Sequence, residues 1–388
     1  MDRRTLLKYA GLTLAGASLV PQQALAKLAS NEYQVGVIPT PSKETPLLLN
    51  FNENSVGMSK RAKEAVIASL DVGFRYPDSQ REALIEKLAS NFALKTENIS
   101  LGNGSSENIQ AVIQALIYRA KKDGKNIQVV APAPTFSYAE LYAGSQGVKT
   151  TQVNIKDDFS FDIEKMKDAA AKFDGYTIFY LCNPNNPTAT ITEDAVLKEW
   201  IKSAPKEHFF LIDEAYAELV VNPKFKTAIE YVKEGCENVA VVRTFSKLYA
   251  LAGFRVGYAI SSEENTAEFE NFISIDNTNL AGAVAALASL EDKSFAKLSI
   301  ESINTSRNIV TSTLDKLGLK YAESNANFIF HEVKGSVKEY QAKMKEHGVF
   351  VGREFAPITN YNRLTLGTPE EMMAFVKVLN SFRKKGLV

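Results

Sequence analysis

Lys247 stands in RTFSKLYALAGFRVGY (Arg243–Tyr258), a stretch otherwise rich in apolar and small residues, with Ser246 just before it and Arg255 eight residues later. An amine attacks a carbonyl carbon only after losing its proton, and burial with positive charge nearby lowers its pKa toward that state. About thirty residues upstream, FFLIDEAYAEL (Phe209–Leu219) ends an apolar run with Asp213, Glu214 and Tyr216. A carboxylate there either caps a helix or is aimed into a cleft. GNGSSENI (Gly102–Ile109) follows the short apolar run Ile99–Leu101. Its glycines let backbone approach a ligand, and Ser105 and Ser106 open a helix whose free amides attract an anion or are simply capped. FYLCNPNNPTAT (Phe179–Thr190) leaves an apolar run for a turn with three asparagines and two prolines, which alone reads as an ordinary loop.

These groups must be positioned by a large folded body. The chain has 388 residues, 45% of them hydrophobic and 23% charged, more than one core usually serves, so two domains are expected. Lys+Arg and Asp+Glu are both 45, and no run of five or more like charges occurs, so no electrostatic case for nucleic acid arises and small molecules are the expected partners. Cys182 and Cys236 are too few for a disulfide framework and lack metal-ligand spacing; both read as packing residues. The N-terminus, MDRRTLLKYAGLTLAGASLVPQQALA, pairs Arg3 with Arg4 ahead of an apolar stretch and ends in Ala24-Leu25-Ala26. It resembles a twin-arginine export signal, so residues 1–26 are set apart, a periplasmic location is expected, and the stretch is too short for a permanent membrane anchor.

From about Ser59, short apolar runs alternate with amphipathic stretches. Strands are predicted at Ile127–Ala131, Lys149–Asn154, Tyr176–Cys182, His208–Asp213, Val239–Arg243 and Val256–Ile260, with helices near Ser106–Lys122, Asp162–Phe173 and Glu193–Ser203. That alternation predicts an α/β fold with a largely parallel sheet covered on both faces. After about Ser261 the rhythm changes to a long, interrupted helical stretch, Ala267–Gly318. A strand at Asn327–Glu332, a helix at Val337–Glu346, a strand at Arg363–Leu366 and a closing helix from Pro369 follow, as in a smaller α+β domain. The division expected is an arm over 27–58, a large domain over 59–282 and a small domain over 283–388.

A strand-end aspartate, a lysine after serine, an arginine beyond it and an upstream anion cradle together make a site for pyridoxal phosphate. From about Leu48 onward the chain resembles the fold-type-I pyridoxal-phosphate aminotransferases, most closely the histidinol-phosphate aminotransferase family. NFNENSVG, RYPD, GNGSSENI, APTFSY, CNPNNPT, DEAYAEL, TFSKLYALAGFRVGY and NRLTLGTPEE carry the resemblance in order. It implies a three-layer αβα large domain with a mostly parallel seven-stranded sheet.

The resemblance also implies roles. Lys247 joins the cofactor aldehyde and moves the Cα proton, Asp213 pairs with the pyridine nitrogen, and Tyr216 and Asn186 hydrogen-bond the ring's phenolic oxygen. Phe136 stacks on the ring, and Ser105, Ser106, Ser246 and Arg255 hold the phosphate. Arg363 grips the substrate α-carboxylate, with Arg353 and Asn54 as further substrate contacts. Tyr76 reaches a neighbouring subunit's cofactor in a homodimer. An amino acid or amino-phosphate donor with a 2-oxo acid acceptor such as 2-oxoglutarate is implied; a lyase or decarboxylase on the same cofactor, or a non-catalytic binder, is the alternative. Three positions depart from the family pattern: Ser106 for aspartate, Ser55 for proline, and Ala189 for a glycine, the last suggesting a turn that needs no positive φ.

Overall fold

The computed structural model describes residues 36–384; the expected export signal, 1–26, and the first part of the arm lie outside the described residues. In chain order the elements that matter here are β1 (Leu47–Leu49), α1 (Lys60–Ser69), α2 (Asp78–Phe92), β2 (Ile99–Gly102) and α3 (Ser105–Lys122). Then come β3 (Ile127–Ala133), α4 (Tyr138–Ser145), β4 (Thr150–Asn154), α5 (Ile163–Ala171), β5 (Tyr176–Cys182), α6 (Asp194–Ser203), β6 (His208–Asp213), α7 (Ile229–Lys233), β7 (Val239–Thr244) and β8 (Gly257–Ile260). The chain closes with α8 (Glu263–Glu270), α9 (Leu280–Glu291), α10 (Lys293–Leu317), β9 (Phe328–Glu332), α11 (Val337–Glu346), β10 (Val349–Val351), β11 (Tyr361–Thr365) and α12 (Pro369–Lys384).

Seven strands form one sheet in the order β2-β8-β7-β6-β5-β3-β4. The pairs β4·β3, β3·β5, β5·β6 and β6·β7 are parallel, while β8 runs antiparallel to both β7 and β2. Every strand but β8 therefore points the same way, and the carboxyl ends of β2, β5, β6 and β7 meet along one edge. This is the α/β architecture that the alternation of runs implied.

The central strands read as continuous apolar runs because helices bury both faces. Neighbouring residues alternate between two cores: Phe179 and Phe210 stack at 5.2 Å on one face, with Trp200 of α6 4.7 Å from Phe179. Tyr180 and Leu211 turn to the other face, toward Ile109 and Ile113 of α3. That helix carries Glu107 in its first turn and Arg119, Lys121 and Lys122 in its last, charges that complement its dipole. A third core lies under α10 and α12, around Leu314, Phe375 and Phe382, and packs against two small sheets. One is the antiparallel pair β9·β11; the other is the parallel pair β1·β10.

The long, interrupted helical stretch expected over Ala267–Gly318 is made of α8, α9 and α10, interrupted at 271–279 and at Asp292. The strand expected from Arg363 starts at Tyr361 and ends at Thr365. Strands β1 and β10 have three residues each, too few to show a period in sequence; only their mutual pairing reveals them. Among the described residues no helix is long and apolar enough to cross a membrane.

Candidate active site

A cleft of about 550 Å³ lies along the carboxyl edge of the sheet, where parallel strands place their ligands. At one end the pairing Gly102↔Gly257↔Thr244 joins the start of α3 to the segment that carries Ser246 and Lys247. Gly104 caps α3 at φ 78°, a conformation glycine adopts freely. A Cβ there would collide with the Arg255 guanidinium, and one at Gly257 would collide with the amide of Ser105. The glycines thus hold open a tight cradle. Arg255, itself left-handed at φ 52°, donates through Nη2 to Ser106 Oγ at 3.2 Å and to Asn103 O at 3.3 Å. Ser246 Oγ accepts from Thr244 Oγ1 at 2.8 Å, which leaves its own hydrogen free to donate. Ser105, Ser106, Ser246 and Arg255 all line the cleft, a set of donors that suits a phosphate dianion.

Asp213, at the end of β6, is buried. Its Oδ1 accepts from the Ala215 amide at 3.1 Å and its Oδ2 from the Tyr180 hydroxyl at 2.9 Å. Burial pushes its pKa up to about 6, and those two hydrogen bonds oppose the rise. A buried carboxylate with open lone pairs toward a cleft suits a ring nitrogen that keeps its proton. Tyr216 and Asn186 sit beside it. Arg363 Nη1 donates to Asn186 Oδ1 at 2.7 Å, so that amide turns its NH2 outward as a donor. The Tyr216 hydroxyl accepts from Asn52 Nδ2 at 3.0 Å, and burial holds the phenol neutral. Phe136 lines the cleft with its ring centroid 4.3 Å from that of Tyr138, a rim residue.

Lys247 Nζ donates to Asn52 O at 3.0 Å and lies 5.7 Å from the centre of the Tyr216 ring. Burial, then the charge of Arg363, lowers its pKa to about 8. Asn52 supports this arrangement from several sides. It is left-handed at φ 55°, its amide N–H donates to Thr365 Oγ1 at 2.9 Å, and its carbonyl also accepts from Asn327 Nδ2 at 3.0 Å. Asparagine tolerates that backbone well, which explains its presence.

Arg363 is 8% exposed. Besides Asn186, it donates through Nη2 to Asn50 O at 2.6 Å, while its Nε has no partner. Asn50 also lines the cleft and has an orphaned Oδ1. Unpaired buried donors and acceptors of this kind are costly unless a ligand takes them up. Arg353, by contrast, is exposed at the rim, its guanidinium 4.3 Å from the Phe355 ring centre. Burial lowers the pKa of Arg363 and the nearby charge of Arg353 adds to that, so one mouth holds two guanidiniums.

Two residues expected at the site lie away from this chain's cleft. Asn54 does not line it: its Nδ2 donates to the carbonyls of Lys247 and Leu248 at 3.1 and 2.9 Å and to Ser299 Oγ at 2.6 Å, so it ties the lysine loop to α10. Asn50 and Asn52 line the cleft in its place, and the left-handed backbone at Asn52 ends the extended run before Asn54. Tyr76 is 75% exposed and likewise lies outside its own chain's cleft. The turn at Ala189 also differs from expectation. Its φ is 61°, so the left-handed turn persists without glycine, held by the Asn185 carbonyl accepting from Ala189 N at 2.7 Å and the Ala189 carbonyl accepting from Asn325 N at 2.9 Å.

Lys247, Asp213, Tyr216 and the cradle around Arg255 fit pyridoxal phosphate in donor chemistry, charge and space. Comparison with known proteins agrees. The model of the family "Aminotransferase class I and II" matches residues 44–379. A histidinol-phosphate aminotransferase of Moorella thermoacetica is 34% identical over 333 residues, 85% of this chain and 84% of that one. Its counterpart from Brevibacillus brevis is 33% identical over 332 residues, 85% and 88% of the two chains. A crystal structure from Erwinia carotovora atroseptica, provisionally described as a histidinol-phosphate aminotransferase, superposes with a TM-score of 0.87 at 39% identity over 90% of this chain and 99% of that one. The histidinol-phosphate aminotransferase of Sinorhizobium meliloti in complex with pyridoxal-5'-phosphate shares the fold, with a TM-score of 0.78 at 22% identity over 87% and 91% of the two chains. The chain belongs to the class I and II aminotransferases: it is a transaminase whose cofactor is pyridoxal 5'-phosphate.

Proposed function

We propose that this transaminase takes the amino group from an anionic amino donor, an α-amino acid or an amino phosphate such as histidinol phosphate, and passes it to a 2-oxo acid such as 2-oxoglutarate. The observation that carries the reading is the pair of guanidiniums at one mouth, Arg363 buried and pre-oriented by Asn186 and Asn50, Arg353 exposed at the rim. A buried, anchored arginine suits a carboxylate or phosphate oxygen pair, and an exposed one suits a second anionic group of variable reach. The histidinol-phosphate aminotransferases among its relatives support the phosphate-bearing donor.

When bound, the cofactor supplies a ring that accepts the electron pair left as the substrate Cα loses its proton. The residues do the rest. Asp213 holds a proton on the ring nitrogen. Lys247 Nζ, with a pKa near 8, gives up its proton readily enough to take one from Cα and return it. With the cofactor bound, Tyr216 and the Asn186 NH2 would serve as donors to its phenolic oxygen and the cradle at α3 would hold its phosphate. A panel of amino donors, scanned for conversion of the bound cofactor to its amine form by visible absorbance, tests the half-reaction directly. Release of CO2 or ammonia with no need for an oxo acid would overturn transamination.

Tyr76, Phe74, Leu70 and Ile275 are 75%, 75%, 65% and 90% exposed, which supports a homodimer that covers them and brings Tyr76 to the neighbouring cofactor. Sedimentation of the holoenzyme and the cofactor affinity of Tyr76→Phe test it. Arg3-Arg4, the apolar stretch and Ala24-Leu25-Ala26 support twin-arginine export and a periplasmic location. Retention in the cytoplasm when both arginines become lysine tests that.

A further inference from the structure

Tyr180 is fully buried on β5 and does not line the cleft. It pairs across the sheet with Leu211, two residues before Asp213, so its phenol runs beneath the carboxylate and delivers its hydroxyl to Oδ2 at 2.9 Å. The other groups facing Asp213 leave it no comparable side-chain donor. Cys182, directly opposite on β5, directs its Sγ to Pro184 O at 3.3 Å. Tyr216 points its hydroxyl toward Asn52, and Lys247 Nζ points at the carbonyls of Asn52 and Phe51. Glu214 is held by Arg243, Thr227 and the Ala228 amide.

We infer that Tyr180 is a positioning residue for the reaction: its hydroxyl keeps the Asp213 carboxylate ionised and turned so that its free lone pairs face the cofactor, and so determines how much of the shared proton stays on the ring nitrogen. The inference rests on the pairing of Asp213 with that nitrogen. A desolvated carboxylate draws a proton toward itself, and a neutral donor that cannot supply a full positive charge is the means by which a buried site resists that pull. Burial raises the Tyr180 phenol's own pKa well above the ordinary value, so it stays a donor across the working pH range.

Tyr180→Phe removes one hydroxyl and keeps the ring. Apoenzyme titrated with pyridoxal phosphate across pH should bind with an acid-side midpoint about one pH unit higher than the wild type, the loss expected for one hydrogen bond to a charged acceptor. In holoenzyme loaded with 15N-labelled cofactor, the ring-nitrogen resonance should move toward the unprotonated value, and kcat should fall about tenfold or more with KM little changed. An unchanged midpoint and unchanged resonance, with only the melting temperature lowered, would overturn the inference. A fluorinated tyrosine at position 180, a stronger donor of nearly the same shape, should move the midpoint down; no movement would overturn it equally. Asp213→Asn separates the premise from the proposal. It should leave the nitrogen unprotonated at neutral pH, and a protonated nitrogen in that variant refutes the Asp213 pairing itself.

Discussion

The backbone carbonyl of Asn52 accepts a hydrogen bond from Lys247 Nζ at 3.0 Å across 195 residues of sequence, and the Asn52 side chain donates to Tyr216. One left-handed asparagine therefore orients the reactive amine and the phenol together. Asn52→Gly keeps the backbone conformation and loses the side-chain contacts to Tyr216 and Thr365, whereas Asn52→Ala loses the same contacts and also meets the left-handed penalty. We expect the alanine variant to be less stable than the glycine variant by about 1 kcal/mol in urea denaturation, and the lower of the two in kcat.

Lys247 bears on stability as well as chemistry. Its folded-state pKa of about 8 lies below its ordinary value of 10.5. Below pH 8 both states are protonated and the buried charge disfavours the fold in full; as pH rises from 8 to 10.5 the folded state is already neutral while the unfolded state still sheds protons, so the penalty disappears. Cofactor-free Lys247→Met should therefore melt higher than the wild type at pH 7, by about 1–3 kcal/mol, and lose that advantage by pH 10.5. The same variant should lose at least about a hundredfold in turnover.

Arg363→Lys removes the planar fork while retaining the charge. Its anchors, Asn186 Oδ1 and the Asn50 carbonyl, are placed for a guanidinium and cannot orient an ammonium in the same way. Steady-state kinetics should show kcat/KM for carboxylate donors down by about 10- to 100-fold, and much less change for an amine donor without an acidic group.

Arg243 is 7% exposed and bridges Glu214 and Glu218 beneath the strand ends, at 2.7 and 3.2 Å. Arg243→Met would leave Glu214 buried without its cation. Chemical denaturation should register a loss of about 3–5 kcal/mol. Arg81→Met, which breaks the more exposed contact to Glu270, should cost about 1 kcal/mol or less.

The parts of the site that lie at the ends of buried strands were legible in the sequence, because a run of apolar residues that stops at Asp213, or before Ser246 and Lys247, marks both the strand and its functional tip. Arg363 was legible only through the resemblance carried by NRLTLGTPEE, since it lies inside β11 rather than at the end of an apolar run. Asn52 was not: its function depends on a left-handed backbone and on Thr365, Tyr216 and Lys247, all more than 150 residues away, so nothing in its neighbourhood separates it from Asn54. Tyr180 reads as core because a buried aromatic in a parallel strand ordinarily is core, and only its 2.9 Å contact with Asp213 distinguishes it. Ala189 misled in the opposite sense, since contacts from Asn185 and Asn325 hold a turn that local preference alone would assign to glycine.

The single antiparallel strand has a consequence for how the molecule comes off the ribosome. β2, made first, finds its only sheet neighbour in β8, at residues 257–260. Until that segment emerges, β2 is unpaired, the amide of Ser105 lacks Gly257 against it, and half the anion cradle waits for Arg255. Arg363 arrives about a hundred residues later still. Vitamin capture is thus an event of the completed polypeptide, and a nascent chain halted before residue 260 should show no retention of the coenzyme.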